Sequence, residues 1–220
     1  MKRTPLALRQ LPNYTLGEEI TNMVTHIMGA VLGLAALPLC ILKSSDLADL
    51  LGSILYGACL IILYAMSSIY HGLRPGMAKK VMQVLDHCTI YLLIAGSYSG
   101  VLLCALCKTH PALGWGLLIL EWGLTALAVT LTAIDLKKYE VFSMICYIGM
   151  GWAVIPFWRQ TLEALGRGGF FLLLMGGISY TVGAVLYGLG IKVKWMHSVF
   201  HVFVVLGSLL QFLCIYFHAL

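Results

Sequence analysis

The sequence predicts an all-α integral membrane protein, a bundle of seven transmembrane helices. Of its 220 residues, 60% are hydrophobic and 10% are charged, whereas a soluble domain usually carries about 25% charged residues. Seven apolar segments also approach the roughly 20 residues that a helix needs to cross a bilayer. These predicted spans cover residues 22–42, 52–71, 86–107, 112–134, 141–158, 170–190 and 196–217.

The spans leave no room for a soluble domain. We expect residues 1–21 to form a short cytoplasmic amino-terminal segment and residues 22–220 to form the transmembrane domain. Thr15 and Glu18 have the spacing of a capping box, so the first helix is expected to begin before the membrane boundary. The connecting loops are short, which favours antiparallel neighbours in one compact bundle.

Basic residues predict the orientation, because they concentrate in cytoplasmic loops. With seven spans, ten of the 14 lysines and arginines fall on one side of the membrane. The amino terminus is therefore expected in the cytoplasm and the carboxyl terminus outside. Topology explains the net charge of +5, so no nucleic-acid partner is expected. The ten cations are Lys2, Arg3, Arg9, Arg74, Lys79, Lys80, Lys137, Lys138, Lys192 and Lys194.

Polar residues from four separate spans gather at the predicted cytoplasmic level. Ionisable residues inside a bundle are costly, and each is a candidate functional group. These residues lie at the start of the first, third and seventh predicted helices and at the end of the second. The residues are Glu19, Asn22 and His26; Ser67 and His71; Asp86 and His87; and His197 and His201.

The histidines have the spacing of a metal site. His197 and His201 lie one helical turn apart, roughly 6 Å along the axis, so both rings can reach one ion. The pair alone fits either a metal site or two hydrogen-bonded core histidines. His71, at the same depth, completes the three-ligand set of catalytic zinc, which leaves a position for a water with a pKa near 7. Asp86 is the candidate general base and Ser67 the candidate group that orients this water.

The remaining polar residues favour other roles. Asp86 and His87 point about 100° apart on a helix and are not expected to face one site together, so His87 is interpreted as interhelical or interfacial. His26 is expected to support the site, with a packing hydrogen bond or a role as alternative third ligand left open. Glu121, deep in the fourth span, is interpreted as a protonated, hydrogen-bonded carboxyl rather than part of an ion pathway.

Three other classes of membrane protein fit poorly. Two ligands one turn apart on one helix do not suit haem, whose axial ligands lie on opposite faces of the ring. A retinal protein needs a lysine in the seventh helix, and residues 196–217 contain none. The predicted orientation is also opposite to that of a G-protein-coupled receptor.

The motifs "EEITNMVTH", "SSIYH", "LDHCTIYLLIAGSYS" and "HSVFH", in this order, resemble those of the bacterial hemolysin III proteins. These belong to the progestin and adiponectin receptor superfamily, and the resemblance covers nearly the whole chain. It implies a multi-pass protein of the bacterial plasma (inner) membrane. Relatives commonly have a proline where this chain has Gly100, which leaves the bend of the third helix open. The resemblance implies zinc ligands at His71, His197 and His201, with Asp86 and Ser67 around the bound water and a motif at Glu19, Asn22 and His26.

Three functions follow from these features. The first is a zinc hydrolase of the ceramidase type that acts on a membrane lipid amide or ester. The second is a non-enzymatic protein with structural zinc: a cytolytic pore former, a receptor or a sensor of membrane state. The third is a transporter with Glu121 and Asp86 as a proton relay, which the gap between their depths disfavours. No feature of the sequence sets the oligomeric state.

Overall fold

A computed structural model describes residues 4–220, so Lys2 and Arg3 of the orientation argument lie outside the described residues. This part of the chain is helical and contains no strand. The predicted all-α class is confirmed. The helices are α1 (Leu16–Lys43), α2 (Leu47–Gly72), α3 (Met77–Val101), α4 (Pro111–Ile134), α5 (Glu140–Gly151), α6 (Trp158–Gly190) and α7 (Met196–Cys214).

Across residues 4–220, six helical stretches are long and apolar enough to cross a membrane. Five of them correspond to predicted spans one to four and seven. The remaining stretch, Glu140–Gly190, has 51 residues and would be about 77 Å long as one straight helix. Because the hydrocarbon core is about 30 Å thick, this stretch has the length of two crossings and contains the fifth and sixth predicted spans.

Gly166 divides this stretch. Its φ of 68° and ψ of 173° are not helical, and glycine adopts such angles without steric cost. The fifth predicted span, 141–158, covers α5 and the 3₁₀ turn Ile155–Phe157 and ends where α6 begins. The break inside α6 comes at Gly166.

The beginning of α1 confirms the predicted capping box. The Thr15 side chain accepts from the Glu18 N–H, and Glu18 Oε2 accepts from the Thr15 N–H at 2.8 Å. The other oxygen, Oε1, accepts from the backbone N–H of Trp195 at 2.7 Å. Trp195 precedes α7 with a φ of 68°, a conformation rare for a bulky residue. Glu18 thus joins the starts of α1 and α7.

The third helix changes its winding just after Val101. A π-helical turn, Leu102–Leu106, continues α3, and Cys107–Thr109 returns to α-helix. Gly100 comes just before this turn, and a Cβ there would lie 2.6 Å from Ile215 Cδ1. A π turn is one of the identified causes of helix bending, so α3 is irregular at the position where the resemblance left the bend open.

The helices pack so that α1 contacts α2 and α7, while α2 contacts α3, α3 contacts α4, and α6 contacts α7. The starts of α1, α3 and α7 and the end of α2 lie together at what we term the histidine end. The opposite end holds the end of α1, the start of α2 and the end of α3. A cavity of about 890 Å³ lies among α3, α5, α6 and α7 and opens toward the amino-terminal segment.

Candidate metal centre

Three histidines from two helices converge at the histidine end. His71 closes α2, and His197 and His201 occupy the first turns of α7. All three are buried, and their ligand atoms lie within 4.8 Å of one another. The Nε2 atoms of His197 and His201 are 3.1 Å apart. Two nitrogens on one tetrahedral zinc lie roughly 3.3 Å apart, so this group could hold a metal ion.

Glu19 sets the ring orientation of His71. Glu19 Oε2 lies 2.7 Å from His71 Nδ1, and the Asn22 amide nitrogen lies 3.5 Å from the same atom. A carboxylate acceptor favours the proton on Nδ1 and leaves the Nε2 lone pair free. His71 Nε2 is buried and has no hydrogen-bond partner in the described part of the chain. This carboxylate–histidine arrangement is typical of metal ligands.

Lys79 completes the pairing of Glu19. Its ammonium lies 2.7 Å from Glu19 Oε1 and also donates to the backbone carbonyls of Leu73 and His71 at 3.0 and 3.4 Å. The side chain is buried, whereas its position after the second predicted span indicated a loop cation. Sequence reasoning missed it because a lysine beside Lys80 at a helix start looks like any interfacial charge.

Aromatic rings surround the three histidines. The His26 ring stacks on His201 with a centroid separation of 3.7 Å, and neither of its nitrogens has a partner within residues 4–220. His26 lies outside the group of three. Tyr14, which sequence reasoning missed, stacks on His197 at 4.8 Å. Burial raises the pKa of the Tyr14 phenol, and Tyr187 and the carboxylate of Glu19 raise it further. The phenol therefore stays protonated.

The candidate catalytic residues share the cavity with two of the histidines. Asp86, Ser67, His197 and His201 all line it, whereas His71 does not. His87 lines it as well, because the cavity is wide enough to include side chains that point 100° apart. Its Nδ1 lies 3.8 Å from Asp86 Oδ2, and its Nε2 lies 3.4 Å from the Tyr187 hydroxyl. Several apolar side chains complete the wall near the histidines: Leu63, Ile90, Leu93, Phe200 and Val204.

Glu121 is buried in α4, away from the cavity lining. Neither carboxyl oxygen has a hydrogen-bond partner among the described residues, so the predicted hydrogen bond is wrong. The preceding turn of the same buried face offers Leu117 and Leu118, which carry no polar side-chain atom.

Comparison with known proteins places these residues in a family context. Residues 14–212 match the family described as haemolysin-III related. The chain is 36% identical to Hemolysin-3 of Bacillus cereus over 206 residues, 92% of both chains. It is 32% identical to the Hemolysin-3 homolog of Bacillus subtilis (strain 168), over 93% of this chain and 96% of the relative. It is also 25% identical to the human Monocyte to macrophage differentiation factor, over 97% of this chain and 89% of that protein.

Proposed function

The chain belongs to the haemolysin-III-related family, and we propose that it is a zinc-dependent hydrolase of a membrane lipid amide or ester. His71, His197 and His201 would hold the zinc. The observation that carries the proposal is the buried three-histidine group, two members of which, His197 and His201, line one cavity together with the carboxylate of Asp86. Three imidazole ligands with a position left open are typical of catalytic rather than structural zinc.

The donor set suits zinc. Imidazole nitrogens are preferred ligands of zinc among the common biological metals, whereas magnesium and calcium prefer oxygen. The orphaned Nε2 of His71 is costly to bury unless it has a partner, and a metal ion is a partner that explains it. Zinc would supply Lewis acidity, which polarises a substrate carbonyl and acidifies a water.

Four other residues would position and transfer protons around the zinc-binding histidines. Asp86 accepts the proton of the attacking water and returns it to the leaving amine or alcohol. Ser67, one turn before His71 on α2, orients that water. Glu19 fixes the His71 ring, and Lys79 balances the charge of Glu19.

The cavity supports a lipid substrate. Its volume of about 890 Å³ lies within the 300–1,000 Å³ range of ligand pockets, and apolar side chains line the region beside the histidines. A hydrolase placed in this way would act at the cytoplasmic side of a bacterial plasma membrane, in the orientation that the basic residues predict. The substrate would enter from the lipid phase.

The test uses the full chain purified into nanodiscs that contain an N-acyl lipid or an ester lipid. We expect about one zinc per chain and release of fatty acid. Asp86→Asn should lower the turnover rate at least about 100-fold while the zinc content stays the same. The matched control is Asp46→Asn, at the opposite end, which should keep full turnover. Zinc-free protein, or an unchanged rate in Asp86→Asn, would contradict the proposal.

The names of the bacterial relatives, Hemolysin-3 and Hemolysin-3 homolog, suggest haemolysis as a second candidate function. A pore predicts leakage of dye from liposomes that contain the pure protein, independent of Asp86. Leakage that persists in Asp86→Asn, together with absence of lipid hydrolysis, would favour this candidate. Hydrolysis without leakage would favour the hydrolase.

A further inference from the structure

The cavity extends well beyond the histidines. Its distant part is lined by Gln211 on α7, Ser97 on α3 and Tyr180 on α6. Gln211 follows His201 by ten positions on one helix, which places it about 15 Å farther along the helix axis. A chain-like molecule with its head at the histidines would reach this region with its middle.

Two buried oxygen atoms in this region lack partners. Gln211 is 5% exposed and Ser97 is 8% exposed. The Gln211 amide nitrogen donates to the Leu173 carbonyl at 3.3 Å, but neither Gln211 Oε1 nor Ser97 Oγ has a partner with hydrogen-bond geometry in the described chain; the contact of Ser97 with the Tyr180 hydroxyl is a looser one. Unpaired polar atoms are most costly at membrane depth, where lipid offers no replacement.

The neighbouring helix leaves room for the glutamine. A Cβ at Gly176 of α6 would lie 2.5 Å from Gln211 Nε2, so only a glycine lets the amide sit against this helix. The Tyr180 hydroxyl already bonds with Ser208 Oγ at 2.8 Å. The hydrogen bond to Leu173 and the contact with Gly176 hold the Gln211 amide in place, and its oxygen remains available to a ligand.

We propose that Gln211 and Ser97 form a subsite for a hydroxyl group in the middle of an acyl chain. This inference rests on the proposed lipid hydrolase and specifies its substrate class, a lipid with a hydroxylated chain. Gln211 Oε1 accepts a proton and the Ser97 hydroxyl can donate one, so a hydroxyl, which is both donor and acceptor, matches the two groups that line this part of the cavity. The subsite residues carry no charge, which suits a neutral hydroxyl rather than a charged group.

Two fatty acids that differ by one hydroxyl test the subsite: octadecanoic acid and 12-hydroxyoctadecanoic acid. Each displaces a fluorescent fatty acid from the purified full chain. We expect the hydroxylated acid to bind about fivefold more tightly, the effect of one or two net hydrogen bonds to buried groups. Gln211→Met, which keeps the side-chain length, should abolish this preference while binding of octadecanoic acid changes less than about twofold. Ser97→Ala should reduce the preference, and it provides a second variant if Gln211→Met does not fold.

The matched control is Gln83→Met, at the histidine end of the same cavity, which should keep the preference. Equal affinity of the two acids for the unmodified protein would overturn the subsite and assign the two oxygens to water. So would a preference that survives in both subsite variants, or failure to bind either acid. Failure of the proposed function has a different signature: the preference remains, but zinc or hydrolysis is absent.

Discussion

Each end of the bundle contains a carboxylate paired with a lysine, the buried Asp49 at one end and the partly buried Glu19 at the other, yet only one of the two clusters has all its polar atoms paired. At the opposite end, Asp49 Oδ1 binds Lys108 at 2.5 Å, and its Oδ2 accepts from the N–H and hydroxyl of Ser45 at 3.1 and 2.7 Å. At the histidine end, Glu19 binds Lys79 and His71, each at 2.7 Å.

The difference is whether every buried polar atom of the cluster has a partner. Asp49 finds all its partners within the protein, so its cluster ties the start of α2 to the end of α3. Glu19 pairs with Nδ1 of His71. The other ring nitrogen of His71, Nε2, has no partner within residues 4–220. Buried polar groups in membrane proteins are normally paired internally. A cluster that ends in an unpaired nitrogen therefore marks a place for a ligand, whereas a closed cluster marks a structural joint.

Removal of a ligand from the open cluster should have the largest effect. We expect His71→Ala to reduce bound zinc from about one ion per chain to less than about one tenth, because two ligands rarely hold zinc. Inductively coupled plasma mass spectrometry of the purified protein measures this. His110→Ala, at the opposite end, should keep the metal. Full zinc occupancy in His71→Ala would show that the metal is held elsewhere.

Neutral substitutions of the two carboxylates should have opposite consequences. Glu19→Gln should weaken zinc affinity by about 10–100-fold, the usual effect of removing the partner of a histidine ligand. Asp49→Asn should leave zinc affinity unchanged and lower the thermal stability, since Lys108 loses its buried partner. Zinc titration and thermal unfolding in detergent distinguish them. Similar zinc affinities in the two variants would remove the distinction between the clusters.

The helix caps at the two ends give a smaller contrast. Thr15→Ala should destabilise the protein by about 1 kcal/mol and also loosen zinc binding slightly, because Glu18 connects this cap to the start of α7. Asp46→Ala removes the cap of α2 and should lower the melting temperature without any change in zinc affinity. If Asp46→Ala also lowers the zinc affinity, the two ends are coupled through the bundle.

The smallest expected effect concerns the amino-terminal segment at acid pH. The backbone N–H of Thr4 donates to Asp135 at 2.9 Å and holds the pKa of this carboxyl below its ordinary value. The contact therefore stabilises the segment fully at neutral pH and is lost as the pH falls below about 4, when Asp135 takes up a proton.

Hydrogen–deuterium exchange of residues 5–9, corrected for the intrinsic pH dependence, should show faster opening in acid. Asp135→Asn should show the faster opening already at neutral pH. Exchange that is equally slow in this variant would mean that the hydrogen bond from Thr4 does not hold the segment.

The sequence was sufficient for features that depend on one helix or on depth in the membrane. Apolar length located the spans, the i and i+4 spacing paired His197 with His201, and depth brought His71 to the same level. Contacts between helices were out of its reach. The stacking of Tyr14 on His197 and the burial of Lys79 depend on how a loop folds back over the bundle, which no periodicity records.

The end of the fifth span shows a further limit. The fifth predicted span ends at residue 158, where α6 begins, and the non-helical residue within α6 is Gly166. Local polarity indicates where the membrane ends, but the conformational freedom of one glycine determines where the helix ends.

The placement of the three histidines also bears on biosynthesis. Glu19 and His71 lie in the first two helices, and His197 and His201 lie in the last one. A ribosome adding about 5–20 residues per second needs on the order of 6–25 s to pass from His71 to His197. During this interval the nascent chain in the membrane holds Glu19, His71 and Lys79 without His197 and His201. If the proposed zinc site is correct, metal loading would be the last step of maturation, and a chain truncated before α7 would expose an incomplete, costly polar cluster.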